Sequence, residues 1–321
     1  MKDEDLRILN QWRAHHDATL IYYGKMLKHE AGKLGIDLDQ VTIAERVKRI
    51  HSMILKLQRF PQMQLSMMDD IAGARIVLPT NQDVLHLTNA LKEKKSKHAL
   101  IKLSNYIAHP KQDGYRSIHI IYRAKNQSPS IQIEIQVRSQ LQHIWATGVE
   151  VFGTLEKTSF KTGDGSQAWQ VFFRLLSSRF AIKENTPVLP EHERYSIKQL
   201  NTKLVQMIRK LNIIELLQAY TSMYASDWRQ KRRKGRSGKY ALITLNTQKN
   251  HTNVDIYPER KFTEALEKYA SIEKIHHSSK DINVVLVNVD HINKLEQAYP
   301  NYFMDTKALS THLSKIVLGE F

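Results

Sequence analysis

The stretch Ile131-Gln132-Ile133-Glu134-Ile135-Gln136-Val137-Arg138 alternates without a fault between branched apolar and polar side chains. A period of two puts Ile131, Ile133, Ile135 and Val137 on one face of a strand and Gln132, Glu134, Gln136 and Arg138 on the other. One such strand cannot bury its apolar face alone; it needs paired neighbours and a covering layer. Its polar face either meets water or lines a cleft. Strand neighbours are expected at 41–47, at 74–78 where Pro79 ends the run, and at 117–122, joined to 131–137 through a polar hairpin connection at 124–130. Helical spacing covers 3–34, 51–60 and 81–94. The fold class is α/β (α+β), a sheet flanked by helices.

Three other clusters suggest chemistry. Asp69-Asp70-Ile71-Ala72-Gly73-Ala74-Arg75-Ile76-Val77 carries acids into a buried strand. Acidic turns are common there, but a carboxylate at a strand edge also suits Mg²⁺, which takes few protein oxygens beside substrate phosphates. His109-Pro110-Lys111-Gln112-Asp113-Gly114-Tyr115-Arg116-Ser117-Ile118-His119 sets an aromatic after a turn, among cations. It reads as a surface turn or as a purine platform with charge for phosphates. Arg46 and Lys48 on a strand, and Ser52, Lys56 and Arg59 on one face of the next helix, form a solvated basic face or a wall for a triphosphate.

Taken in order, Arg-x-Lys-x₃-Ser-x₃-Lys-x₂-Arg, Asp-Ile-Ala-Gly-x-Arg-Ile, Tyr-Ile-x₂-Pro-Lys-x₂-Gly-Tyr-Arg-Ser-x-His and Glu-Ile-Gln-Val-Arg-x₄-His-x-Trp-Ala resemble the synthetase domain of the RelA/SpoT family over about residues 40–150. The resemblance implies a mixed sheet flanked by helices, of nucleotidyltransferase type. It implies transfer of the β,γ-pyrophosphate of ATP to the 3′-hydroxyl of GDP or GTP, giving guanosine penta- or tetraphosphate. By resemblance, Asp70 and Glu134 hold Mg²⁺, with Glu134 placed to take the hydroxyl proton. Arg46 and Arg75 sandwich the ATP adenine, and Lys48, Ser52, Lys56 and Arg59 hold its phosphates. Tyr115 stacks on the acceptor base, while Lys111, His119, Gln136 and His143 orient the acceptor. Only about 40 residues precede the first motif, so no hydrolase domain is expected, and His15-His16-Asp17 is read as surface. Asn105 stands where an acid is frequent, a minor departure.

The chain has 321 residues, 48 Lys+Arg against 32 Asp+Glu and a formal charge of +16, which favours polyanionic partners. No apolar run spans a membrane, the N-terminus lacks a signal-peptide centre and there is no cysteine, so a cytoplasmic protein without disulfides is expected. Four units are expected: a synthetase domain (1–160), a helical region (161–228), a basic linker (229–239) and a small α+β domain (240–321). Helices dominate 140–225 with breaks near 162–165 and 187–190. The last of them, an amphipathic helix at 196–225, serves the core or a homo-oligomer interface.

The linker holds Arg229, Lys231, Arg232, Arg233, Lys234 and Arg236 between Trp228 and Tyr240. Such a run reads as a solvated connection or as an RNA contact with flanking stacking rings. Two alternatives to guanosine-nucleotide synthesis follow. One is pyrophosphorylation of the tRNA 3′ end, which would stop translation, or of an adenosine nucleotide. The other is an inactive nucleotide- or RNA-binding protein, against which the presence of both Asp70 and Glu134 argues.

Overall fold

The computed structural model describes residues 3–94, 98–124, 131–156, 167–226, 228, 238–276, 279, 281–289 and 292–321. Its strands are β1 (Thr42–Val47), β2 (Ala72–Leu78), β3 (His98–Asn105), β4 (Ile118–Ala124), β5 (Gln132–Ser139), β6 (Ala225–Ser226), β7 (Tyr240–Asn246), β8 (His251–Tyr257) and β9 (Ile282–Val289). All nine join one sheet in the order β3-β4-β5-β2-β1-β9-β7-β8-β6. The sheet is mixed: β2 and β5 run parallel, as do β6 and β8, and the other pairs are antiparallel.

The helices are α1 (Asp3–Ala14), α2 (Asp17–Lys33), α3 (Ile50–Arg59), α4 (Asn81–Glu93), α5 (Gln140–Leu155), α6 (Gln167–Lys183), α7 (Ile197–Lys210), α8 (Ile213–Met223), α9 (Phe262–Ile275), α10 (Leu295–Ala298) and α11 (Lys307–Leu318). Three of them start at capping boxes: Thr80 with Asp83, Ser139 with Gln142, and Ser196 with Gln199. In each, two orphan amides of the helix start are satisfied reciprocally.

The apolar face of β5 (Ile133, Ile135, Val137) joins Ile43, Ala74 and Ile76 in a core beneath α2 and α4. Gly24 lets α2 sit close to β1: a Cβ there would lie 1.6 Å from Glu45 Oε1. A second core of Phe152, Trp169, Phe172 and Leu204 binds α5–α8 and α11 into a helical layer.

The expected C-terminal α+β unit shares its sheet with the rest of the chain. β9 pairs with β1, setting Val287 opposite Arg46. Val284 and Leu286 are buried in one cluster and Val285 and Val287 in another, so β9 is apolar on both faces. A strand like that is stable only inside a sheet.

Other expectations are corrected. The helix at 3–34 breaks between α1 and α2, and the one at 196–225 breaks at Asn212, whose φ is +48°. β3 is a further strand at the sheet edge, beyond those expected; half its residues are apolar, Leu100 and Ile101 are exposed, and its register shifts between Leu100 and Lys102. His16 is buried, not at the surface, with its Nδ1 2.7 Å from Trp12 O. Trp228 is 0% exposed and Tyr240 2%, and the Tyr240 hydroxyl donates to Asp17, so neither ring is presented to a base. Arg229, Lys231, Arg232, Arg233, Lys234 and Arg236, and the break at 162–165, lie outside the described residues. Among the described residues no helix is long and apolar enough to cross a membrane.

Candidate active site

Sheet register assembles the polar face. Arg46 on β1 lies opposite Gly73 on β2, and Gly73 opposite Glu134 on β5. In the next row Ala44, Arg75, Gln136 and His119 lie side by side across β1, β2, β5 and β4. Gly73 carries no side chain, so the row from Arg46 to Glu134 has an open middle. Asp70, in the turn before β2, lines the same cleft as Arg46, Gly73, Arg75, Glu134 and Gln136. Two acids 64 positions apart in sequence are thereby brought to one cleft with two arginines.

Both acids are held by partners. Lys48 Nζ donates to Asp70 Oδ2 at 2.5 Å and Lys56 Nζ to Oδ1 at 2.9 Å. Burial pushes the Asp70 carboxyl up, but the two ammonium groups outweigh it and its pKa is lowered. Glu134 Oε1 lies 2.9 Å from His119 Nδ1, and Gln136 Nε2 donates to Oε2 at 2.8 Å. Burial again opposes ionisation, yet His119, Gln136 and the Arg46 charge bring Glu134 down to about 2.

The Tyr115 hydroxyl is 2.6 Å from His119 Nε2 and accepts from Arg138 Nη2 at 2.6 Å. Arg138 can only donate, and ionised Glu134 can only accept. Arg138 therefore donates to Tyr115 and His119 Nδ1 to Glu134, with the Tyr115 hydroxyl and His119 Nε2 sharing the hydrogen bond between them. The Lys111 ammonium lies 4.5 Å from the Tyr106 ring centre and 5.0 Å from that of Tyr115, within cation–π range. The turn before Tyr115 needs its glycine: Gly114 has φ +94°, and a Cβ there would meet Ser177 Cβ at 2.8 Å. Arg116 does not face this cluster. It is buried, with its Nε donating to Ser177 Oγ at 2.9 Å.

Ser52, Lys56 and Arg59 share one face of α3, with Lys56 reaching Asp70 and Arg59 exposed over Phe60. His143 does not line the cleft, although the carbonyl it faces, Gln297 O, neighbours the Ala298 O that accepts from Arg75 Nη1. It lines a separate cavity of about 400 Å³ between α5 and the C-terminal segment. Its Nε2 is 3.3 Å from Gln297 O, and burial first, then Arg75 and Arg138, hold the ring neutral with a pKa of about 3.

Sequence reasoning missed Tyr299. This side chain is buried, donates its hydroxyl to Glu45 O at 3.1 Å and lines the cleft, its ring centre 5.9 Å from the Arg75 guanidinium carbon. The space left there is about 20 Å³, room for roughly one water molecule. No motif announces Tyr299, because its place depends on the β9–β1 pairing. Burial lowers the Arg75 pKa to about 10, helped by the nearby Arg138 charge.

Residues 45–153 match the family model described as a region found in RelA / SpoT proteins. This segment is a RelA/SpoT region. Over 122 residues the chain is 30% identical to a GTP pyrophosphokinase of Haemophilus influenzae, covering 38% of this chain and 16% of that protein. Over 111 residues it is 32% identical to the GTP pyrophosphokinase YwaC of Bacillus subtilis, covering 32% of this chain and 52% of the relative. The match therefore spans about half the length of the Bacillus relative and far less of the Haemophilus one. A solved structure, the small alarmone synthetase 1 of Bacillus subtilis bound to its product pppGpp, is 21% identical with a TM-score of 0.46, covering 55% of this chain and 93% of that one. The RelA/SpoT region contains β2–β5, α3, α4, the second half of β1 and most of α5, and with them most of the cleft; Ala44 and Tyr299 come from outside it.

Proposed function

We propose that this chain is a nucleotide pyrophosphokinase, moving the β,γ-pyrophosphate of ATP to the 3′-hydroxyl of a guanosine nucleotide, GDP or GTP. The observation that carries it is one cleft holding Asp70, Glu134, Arg46 and Arg75, with Lys48 and Lys56 gathered on Asp70. Phosphoryl-type transfer asks a protein mainly to position reactants and neutralise charge. Relatives named GTP pyrophosphokinases support the acceptor class.

The donor set suits Mg²⁺. Asp70 and Glu134 offer hard oxygen ligands, and among the described residues no larger His, Asp or Glu cluster forms a closed metal cage. Two carboxylates with phosphate oxygens completing the shell is the usual Mg²⁺ arrangement. Bound there, the ion would neutralise charge on the transferred group. Lys48 and Lys56, now on Asp70, would turn to the phosphates. Tyr115 and Lys111 would take the acceptor base and its charge, and the Tyr115–His119–Glu134 chain would orient the hydroxyl.

Glu134 is a weak base while its pKa stays near 2, since general-base efficiency peaks nearer the working pH. Its proton-accepting role requires His119 and Gln136 to release it when the acceptor arrives. A donor base beside Arg75 would need the space that Tyr299 fills.

The test offers the protein Mg²⁺ and ATP labelled at the γ-phosphate, with GDP, GTP, ATP or deacylated tRNA in separate reactions. Label in a guanosine product is expected. Label in tRNA alone supports the tRNA-modifying reading, which the +16 charge favours. Label in no acceptor, including with Tyr299→Ala, overturns the enzyme and leaves a nucleotide-binding protein.

A further inference from the structure

We propose that Glu273 and Asn283, both outside the RelA/SpoT region, are positioning residues that clamp the turn joining the two halves of the donor-phosphate wall. This rests on the pyrophosphokinase reading above. The wall is built on either side of one turn: Arg46 and Lys48 precede it, and Ser52, Lys56 and Arg59 follow it on α3. Lys48 and Lys56 both reach Asp70 across that turn, so the angle between β1 and α3 sets whether they act on one phosphate group.

The turn has no cap of its own. Arg49, at the N-cap of α3, makes no side-chain cap hydrogen bond, which leaves the first helix amides in need of acceptors. Glu273 on α9 supplies one from 223 positions away, its Oε1 accepting from Ile50 N at 2.9 Å. A carboxylate at a helix N-terminus is also favoured by the helix dipole. Its Oε2 accepts from Arg13 Nη1 at 2.9 Å. Arg13 is fully buried on α1, with its guanidinium carbon 4.2 Å from the ring centre of Tyr269, one turn before Glu273. That packing fixes the carboxylate from behind. The Arg49 side chain is held as well, its Nη1 donating to Asn283 Oδ1 on β9 at 3.0 Å. The turn is gripped at backbone and side chain by two elements of the C-terminal half, which makes that half a part of the donor site.

Amide hydrogen exchange on the full chain reads the clamp directly. Glu273→Ala is expected to speed exchange at the first turn of α3, from Ile50 to Met53, more than elsewhere in that helix. Glu273→Gln keeps an oxygen for the Ile50 amide and should do so far less. In the Tyr299→Ala background, binding of a non-hydrolysable ATP analogue with Mg²⁺ should weaken on the order of tenfold for Glu273→Ala. The KM for ATP should rise while the KM for the acceptor holds. Asn283→Ala should move both readouts the same way, and it decides the matter if Glu273→Ala fails to fold. Folded variants with parental exchange at Ile50 overturn the clamp. Faster exchange with unchanged ATP binding overturns the positioning role. A parent protein that binds no ATP analogue sinks the pyrophosphokinase reading itself, before any clamp variant is made.

Discussion

At the scale of single residues, charge placement controls both chemistry and acid stability. Glu134→Gln keeps the shape of the side chain but removes the charge that a metal and the hydroxyl proton would need. Transfer should fall by about 10²-fold or more, measured as labelled product per folded protein. Equal turnover would remove Glu134 from the reaction. The folded pKa of Glu134 is depressed to about 2 from 4.5. Its stabilisation is therefore full above about pH 4.5 and lost as pH falls through about 2. His16 acts at higher pH. Burial lowers it to about 4 from 6.5, so the folded state holds it neutral while the unfolded chain takes up a proton. Its contribution is complete above about pH 6.5 and is lost as pH falls towards 4, on the order of 3 kcal/mol. Melting curves should show stability dropping across that window, with a shallower drop in His16→Gln. The same drop in both would place the titration elsewhere.

At the scale of elements, close approach and caps decide what packs on what. Gly24→Ala should lower stability by roughly 1–3 kcal/mol, because its new Cβ would lie 1.6 Å from Glu45 Oε1, a buried side chain that also accepts from Asn288 on β9 at 2.9 Å. Denaturant midpoints measure this, and an unchanged midpoint would mean α2 has slack against β1. The alternation of 131–138 announced β5 and both its faces, and Pro79 announced the end of β2. β3 gave no comparable signal, since its apolar residues Ala99, Leu100, Ile101 and Leu103 do not alternate and two of them, Leu100 and Ile101, stay exposed at the sheet edge. The break between α7 and α8 rests on Asn212 in a left-handed conformation, which helical periodicity does not report.

At the scale of the whole molecule, the C-terminal half closes the cleft it helps to build. Tyr299→Ala removes the ring that fills the space beside Arg75 and its hydrogen bond to Glu45 O. Tighter binding of an ATP analogue and faster transfer are expected from this variant, with some loss of melting temperature. Weaker binding would mean that Tyr299 supports the donor base instead of excluding it. Residue chemistry and local period were legible along the chain: the acids, the basic wall, the tyrosine after its Asp-Gly turn, and which face of each strand was apolar. These are properties of neighbours in sequence, where side-chain direction follows from backbone period alone. Only the tertiary structure decided that β9 enters the sheet beside β1, that His143 faces Gln297, that Trp228 is core, that Tyr299 lines the cleft and that Glu273 accepts from Ile50 N. Those placements come from contacts between segments distant in sequence, 154 positions for His143 and Gln297 and 223 for Ile50 and Glu273, set by which buried surfaces fit together, and no local pattern encodes such a choice.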